Sequence, residues 1–299
     1  YESCRYISKA CEAGWMLKLK SKNEFYNRLV VSVIAISIVA LLIGFAYHPW
    51  VNLLLVLTIA ILTGVGVWEY AKLAQAKGIE PAKILMVIVA TLEVLAFYAA
   101  LAYPEWSKYA LPITVLGFIS FFVAHFRNCD NALLHVAVEF FGVCYLAIPF
   151  SFMLAILYPP SGTEDGRFWL IYLIAVTKIT DIGGYFVGKL IGRHPLAPQL
   201  SPKKTIEGSI GGFCFAIALS LFLASIGPLV GWHLSYFSAT WLGMLIGVLA
   251  QVGDLAESVL KRDALVKDSN KIPGIGGILD MMDSLLLTAP VVYFFIRSI

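Results

Sequence analysis

Nine apolar runs, each near the length that a helix needs to cross a bilayer, dominate this sequence. A hydrocarbon core of roughly 30 Å requires about 20 apolar residues in helical conformation. Because 60% of the residues are hydrophobic and only 14% are charged, the chain lies outside the range of soluble globular domains. The pattern predicts an all-α, polytopic integral membrane protein with about nine transmembrane helices. The runs cover approximately residues 28–47, 50–70, 84–103, 110–126, 132–158, 168–191, 209–228, 234–252 and 283–298.

The distribution of Lys and Arg predicts how these spans are oriented. If the N-terminus is cytoplasmic, 18 of the 22 Lys and Arg residues fall in cytoplasmic segments, as the positive-inside rule requires. The same distribution explains the net charge of +3 without a nucleic-acid partner. The two most polar connections, residues 192–208 and 253–282, then face the cytoplasm, and we expect the chemistry there.

Three regions follow from this pattern. Residues 1–26 form a polar N-terminal segment without the features of a cleavable signal. Its first 15 residues are expected to precede the natural start, because Met16 is followed by the basic stretch LKLKSK. Residues 27–160 are expected to provide scaffold and lipid interface, and residues 161–299 to form the C-terminal transmembrane catalytic region.

The first polar connection combines features that bind phosphate. Its core, SPKKTIEG, places two lysines beside hydroxyl groups, just before a helix expected to begin at about Ser209. Ammonium groups, hydroxyls and the free amides of a helix N-terminus together favour phosphate. Upstream, Lys178 and Asp181 lie three residues apart in the sixth run. They could neutralise each other, or Asp181 could face a polar cavity, which the glycines that follow it favour.

The second connection is rich in carboxylates. Six of them occur within about 30 residues, and Asp254, Asp280 and Asp283 lie where apolar spans end or begin. Carboxylates at a membrane boundary, with cations close by, indicate a divalent metal that carries a phosphorylated substrate. A simpler interpretation of Asp280 and Asp283 is the preference of acidic residues for the first turn of a helix.

At these residues the sequence resembles the phosphatidate cytidylyltransferase family, the CDP-diacylglycerol synthases. The resemblance covers roughly residues 178–290. Two positions depart from the family pattern: Ile275 stands where the family usually has His, and Met281 where it usually has Arg. The residues that match are Asp181, Gly183, Tyr185, Gly188, Gly192, Ser201, Pro202, Lys203, Lys204, Thr205, Glu207 and Gly208 in the first motif, and Ser258, Lys261, Arg262, Lys267, Asp268, Pro273, Gly274, Gly276, Gly277, Asp280 and Asp283 in the second.

The resemblance implies that CTP and phosphatidic acid react to give CDP-diacylglycerol and pyrophosphate. It implies Mg²⁺ held by Asp254, Asp280 and Asp283, and a second, monovalent cation such as K⁺, with Asp181 holding that cation or orienting a lysine. A homodimer in the inner membrane of a bacterial-type cell, with a cytoplasmic active site, is also expected. The expected catalytic residues are Asp254, Asp280, Asp283, Lys203, Lys204 and Lys267. The expected substrate-binding residues are Ser201, Thr205, Glu207, Gly208, Ser258, Lys261, Arg262, Asp268, Gly276 and Gly277.

Two other classes of protein share some of these features. A carrier for an anionic, phosphorylated solute would also use broken helices and glycine-rich turns, but its site would lie near the bilayer midplane within repeated halves. A related lipid kinase would differ in the nucleotide that it uses. A cytidylyltransferase for ether lipids would differ only in the lipid linkage, which the sequence does not reveal.

Overall fold

The computed structural model describes residues 37–127, 129–159, 165–266 and 277–298. The chain divides into two compact units, Tyr1–Phe45 and Ala46–Ile299. In the first unit, residues 37–44 are helical. Residues 28–36 of the predicted span 28–47, and all of the N-terminal segment, lie outside the described residues.

Within the described residues, eight helices are long and apolar enough to cross a membrane, and they correspond to the other eight predicted runs. The prediction of an all-α, polytopic membrane protein is confirmed. The helices are α1 (Pro49–Ala76), α2 (Lys83–Ala102), α3 (Ser107–Ala124), α4 (Ala132–Leu157), α5 (Gly166–Ile191), α6 (Ile206–Ile226), α7 (Tyr236–Asp263) and α8 (Ile278–Ser298).

The connection between α5 and α6 contains a small antiparallel hairpin that the sequence did not predict. Its strands are β1 (Pro195–Ala197) and β2 (Ser201–Thr205), with Pro195 opposite Thr205. Strands this short do not show the alternation that identifies a strand in a sequence. The hairpin leads directly into α6, whose N-cap is Thr205; its side chain accepts a hydrogen bond from Gly208 N at 3.1 Å. The helix therefore begins three residues before the predicted Ser209.

The second polar connection is shorter than predicted. Residues 253–263 are not part of a loop but the last turns of α7. Hydropathy falls at Asp254, yet no Pro or Gly lies between Asp254 and Asp263, and Glu257 and Lys261 form an ion pair four residues apart. A span predicted from apolar length stops where the residues become polar, even if the helix itself continues.

Glycines allow α5 and α6 to pack with their backbones in contact. A Cβ added to Gly208 would lie 2.6 Å from the carbonyl oxygen of Gly184, and one added to Gly212 would lie 2.6 Å from that of Thr180. These distances are shorter than real Cβ contacts, so a larger residue would separate the helices. This close crossing fixes the base of the hairpin beside α5.

Candidate active site

A cavity of about 510 Å³ lies between the C-terminal end of α5, the hairpin, the start of α6 and α7. Its size lies within the range that holds a small organic ligand. It is bounded by ammonium groups on one side and by carboxylates on another. The polar side chains that line it are Thr180, Asp181, Tyr185, Lys189, Lys203, Lys204, Thr205, Ser209, Gln251 and Asp254.

One wall of this cavity can bind an anion. Lys203 and Lys204 project from β2, and the first turn of α6 follows them directly. The N-terminus of a helix presents unpaired amides and a partial positive charge, which favours phosphate groups. The cavity therefore brings together six residues predicted for phosphate or cation binding, namely Asp181, Lys203, Lys204, Thr205, Gly208 and Asp254.

The carboxylates of Asp181 and Asp254 also line the cavity, and Asp283 lies close to them without lining it. Asp254 on α7 forms an ion pair with Lys204. A Cβ on the preceding residue, Gly253, would lie only 2.5 Å from the carbonyl oxygen of Asp283, so this glycine lets α7 approach the start of α8. The carboxylate of Asp283 is buried, and the negative charges of Asp254 and Asp181 both act on it.

Asp280 belongs to a neighbouring cluster of charges. Lys261 Nζ contacts Asp280 Oδ1 at 2.6 Å and Glu257 Oε2 at 2.5 Å, and Gly277 N donates to Asp280 Oδ2 at 3.1 Å. Glu257 is fully buried, and the side chain of Lys261 is 14% exposed. These contacts tie the end of α7 to the first turn of α8. The participation of Asp280 in a metal site stays a prediction.

The donor atoms suit Mg²⁺, because Asp181, Asp254 and Asp283 offer only carboxylate oxygen, which this ion prefers. Across the parts of the chain that the structure describes, however, no three His, Cys, Asp or Glu residues form a group that could hold a metal by themselves. Mg²⁺ is commonly held by one or two carboxylates together with substrate phosphates. The arrangement therefore fits an ion that is shared with the substrate.

Other predicted residues support the cavity instead of lining it. Glu207 accepts hydrogen bonds from the backbone amides of Arg193 and His194, at 3.1 and 3.2 Å, and so holds the turn after α5. Arg262 Nε donates to the carbonyl oxygen of Leu200 at 2.9 Å, which ties the tip of the hairpin to the end of α7. Their predicted role as substrate contacts is untested by these interactions.

The remaining predicted residues do not line the cavity or lie outside the described residues. Ser258 is buried on α7, and Ser201 is half-buried where β2 begins. Gly277 precedes α8 and donates to Asp280. Lys267, Asp268 and Gly276 lie outside the described residues.

The sequence analysis missed two polar residues that organise the site. Glu69, fully buried on α1, accepts a hydrogen bond from Leu279 N at 2.9 Å and so caps the first turn of α8. Gln251 Nε2 donates to the carbonyl oxygen of Ser209 at 3.1 Å and joins α7 to the start of α6. Both are single polar residues in apolar runs, which is a signal that the sequence contained.

Comparisons with known proteins identify the family to which the chain belongs. A model of the cytidylyltransferase family matches residues 26–299. The phosphatidate cytidylyltransferase of Chlamydia pneumoniae is 33% identical over 297 residues, covering 93% of this chain and 95% of that protein. The enzyme of the same name from Synechocystis is 33% identical over 267 residues, covering 80% and 86%. The one from Bacillus subtilis is 41% identical over 132 residues, covering 44% and 48%. With a family match over nearly its whole length, this chain is a member of the cytidylyltransferase family.

Proposed function

We propose that this protein transfers CMP from CTP to phosphatidic acid, giving CDP-diacylglycerol and pyrophosphate. The observation that carries the proposal is the cavity, in which lysines and a helix N-terminus face carboxylates beside the ends of membrane-spanning helices. Such a site can hold the phosphates of a nucleotide while the acyl chains of a lipid stay in the bilayer. Relatives that are named phosphatidate cytidylyltransferase support the choice of substrates.

The reaction asks little of a general base. The phosphate monoester of phosphatidic acid is ionised at neutral pH, so one of its oxygens can attack the α-phosphorus of CTP directly. A new P–O bond forms, the bond to the β-phosphate oxygen breaks, and pyrophosphate leaves with the electron pair. The main barrier is the repulsion between two anions, which positioning and preorganised positive charge reduce.

The described residues can provide this charge and positioning. Lys203 and Lys204 neutralise phosphate oxygens, and the amides at the start of α6 orient them. Asp254 and Asp283, with Asp181 near them, would hold Mg²⁺ together with substrate phosphates, and the bound ion would neutralise charge on the α-phosphoryl group and on pyrophosphate. When phosphate takes over Lys204, the carboxylate of Asp254 becomes available to a cation. A monovalent second cation and a homodimer are further parts of the proposal.

The proposed activity is tested by pyrophosphate release from the purified protein in detergent. The protein receives phosphatidic acid, Mg²⁺ and each of the four common ribonucleoside triphosphates in separate reactions. We expect release with CTP alone, and only when both lipid and metal are present. Formation of ADP from ATP, with transfer of a single phosphate to the lipid and without pyrophosphate release, would indicate a kinase. No pyrophosphate release with any nucleotide would reject the proposal.

The proposed location is the cytoplasmic face of the inner membrane. Sealed vesicles of defined orientation test it, because CTP does not cross a bilayer. CTP added outside inside-out vesicles should support CDP-diacylglycerol synthesis, whereas right-side-out vesicles should need permeabilisation. The opposite pattern would place the site on the outer face.

A further inference from the structure

Lys178 is a cation within the apolar stretch of α5. A charge at this depth is costly unless it is paired or hydrated. Its Nζ donates to the carbonyl oxygen of Met281 at 2.9 Å and to Ser284 Oγ at 3.1 Å, and lies 3.5 Å from Asp181 Oδ2. The ammonium group is therefore held by three oxygens of different kinds, from two helices.

These contacts do more than neutralise a neighbour on the same helix. The contact with Asp181, within α5, is the longest of the three, and both shorter ones reach α8. Ser284 Oγ also donates to Asp181 Oδ2 at 3.0 Å, which closes a triangle of side chains. Lys178 thus joins the α5 carboxylate to the first turns of α8.

The electrostatic surroundings explain why a cation is needed at this junction. Asp283 experiences the negative charges of both Asp254 and Asp181, and the positive charge of Lys178 opposes them. Lys178 acts in the same way on Asp181, which also experiences Asp254. Without the ammonium group, Asp181 and Asp283 would lose the positive charge that opposes their repulsion, because Lys204 already pairs with Asp254.

We propose that Lys178 is a positioning residue that holds Asp181 and the first turns of α8 together, so that the carboxylates of Asp181 and Asp283 stay in place to bind a divalent cation. The inference rests on the proposed function for its link to turnover. Lys178 is not among the side chains that line the described cavity. It acts through Asp181 and α8 and does not touch the substrate.

The oxygens around Lys178 suggest a direct test. If the side chain is shortened, a carbonyl, a hydroxyl and a carboxylate oxygen surround a space that a small ammonium ion can enter and bind by hydrogen bonds. In Lys178→Ala we expect kcat to fall on the order of 10²-fold, with a much smaller change in the KM for CTP. Added ammonium or methylammonium should raise the kcat of this variant at least ten-fold. Tetramethylammonium, at the same ionic strength, cannot donate hydrogen bonds and should restore nothing.

A second measurement is independent of turnover. Mg²⁺ binding is followed by its effect on the thermal unfolding temperature of the purified protein, with inorganic pyrophosphate present to supply phosphate oxygens and without CTP or lipid. The wild-type protein should need about ten-fold less Mg²⁺ than Lys178→Ala for half of the shift, and ammonium should close this gap. Lys178→Met keeps most of the side-chain volume but loses the charge. If the charge is what organises the carboxylates, this variant should need as much Mg²⁺ as Lys178→Ala does in the absence of ammonium. Lys72→Met on α1, an exposed position, is the control and should behave like the wild type.

The outcomes separate this inference from the proposed function. Wild-type turnover and Mg²⁺ response in Lys178→Met would overturn it. The inference would also be overturned if turnover were lost, no ammonium ion restored it and the Mg²⁺ response stayed unchanged. That result would mean that Lys178 contributes only to packing. If the wild-type protein fails to use CTP, the proposed function fails, while the Mg²⁺ titration still decides whether Lys178 organises the carboxylates.

Discussion

Carboxylates lie in both halves of the membrane region, and the partners that the structure gives them differ. In α1–α4, Glu69 accepts from Leu279 N, Glu93 from Thr114 Oγ1 at 2.8 Å, and Glu139 from Ala82 N at 2.7 Å, with His125 Nε2 3.0 Å from Glu139. In α5–α8, three of the four aspartates predicted to hold metal contact lysines. The pairs are Asp181 with Lys178, Asp254 with Lys204, and Asp280 with Lys261.

These partners indicate two roles for the carboxylates. Some hold the fold together, whereas others can exchange a lysine for a bound cation. A backbone amide or a threonine hydroxyl is part of the fold and does not leave its carboxylate when a ligand binds. A lysine at a cavity wall can transfer its contact to a phosphate, and the carboxylate that it leaves can then bind a cation. The N-terminal carboxylates are therefore expected to act on structure, and the C-terminal ones, above all Asp254, on turnover.

The largest expected effect is that of Asp254→Asn. The amide keeps the shape of the side chain but removes the charge, so turnover should fall on the order of 10³-fold or more. Because the pair with Lys204 is partly exposed, with 32% of the Asp254 side chain accessible, stability should change by less than about 1 kcal/mol. Pyrophosphate release and thermal unfolding in detergent measure the two effects.

Glu93→Gln is the matched control in the N-terminal half. Glutamine keeps an oxygen that can accept the hydrogen bond from Thr114, so activity should stay within about two-fold of the wild type. An inactive Glu93→Gln variant, or an active Asp254→Asn variant, would contradict the division into structural carboxylates in the N-terminal half and catalytic ones in the C-terminal half.

Glu69 connects α1, in the N-terminal half, to the first turn of α8. Glu69→Ala would leave the buried amide of Leu279 without this acceptor, at a cost of about 1–3 kcal/mol. A displaced first turn of α8 should also lower turnover by about 10- to 100-fold. Glu69→Gln retains an acceptor oxygen and should recover most of both losses. Equal damage in both variants would show that the charge of Glu69, and not its hydrogen bond, is what the site requires.

The sequence predicted the spans well because apolar length alone determines them. It also identified Asp181, Lys203, Lys204 and Asp254, since charged residues beside apolar runs indicate a functional site. It did not predict which charges would pair. Glu69 and Leu279 lie 210 residues apart, and their contact depends on how α1 and α8 pack, which hydropathy does not encode.

A smaller effect is expected where α5 and α6 cross. In Gly208→Ala the new methyl group would lie 2.6 Å from the carbonyl oxygen of Gly184, so the helices must separate, at a cost of roughly 1–3 kcal/mol. Because Gly208 lies in the first turn of α6, separating the helices displaces the amides at the cavity, and turnover should fall by about ten-fold. In Gly184→Ala the nearest atom, the carbonyl oxygen of Gly208, is 3.4 Å away, and this variant should be nearly normal. Similar unfolding temperatures and activities for the two variants would contradict the close crossing.

The smallest expected effect concerns Met281, which stands where phosphatidate cytidylyltransferases usually have Arg. Met281 is 39% exposed on the first turn of α8, so an arginine can extend towards water without entering the core. A cation near a helix N-terminus costs roughly 0.3–1 kcal/mol, while a guanidinium can bind phosphate with two parallel hydrogen bonds. Met281→Arg should therefore retain turnover or raise it a few-fold, mainly through a lower KM for CTP at low ionic strength. Met281→Gln, of similar length but uncharged, separates charge from size. A complete loss of activity in Met281→Arg alone would show that this turn works only without a second cation beside Lys178, whose ammonium group already contacts the carbonyl oxygen of Met281.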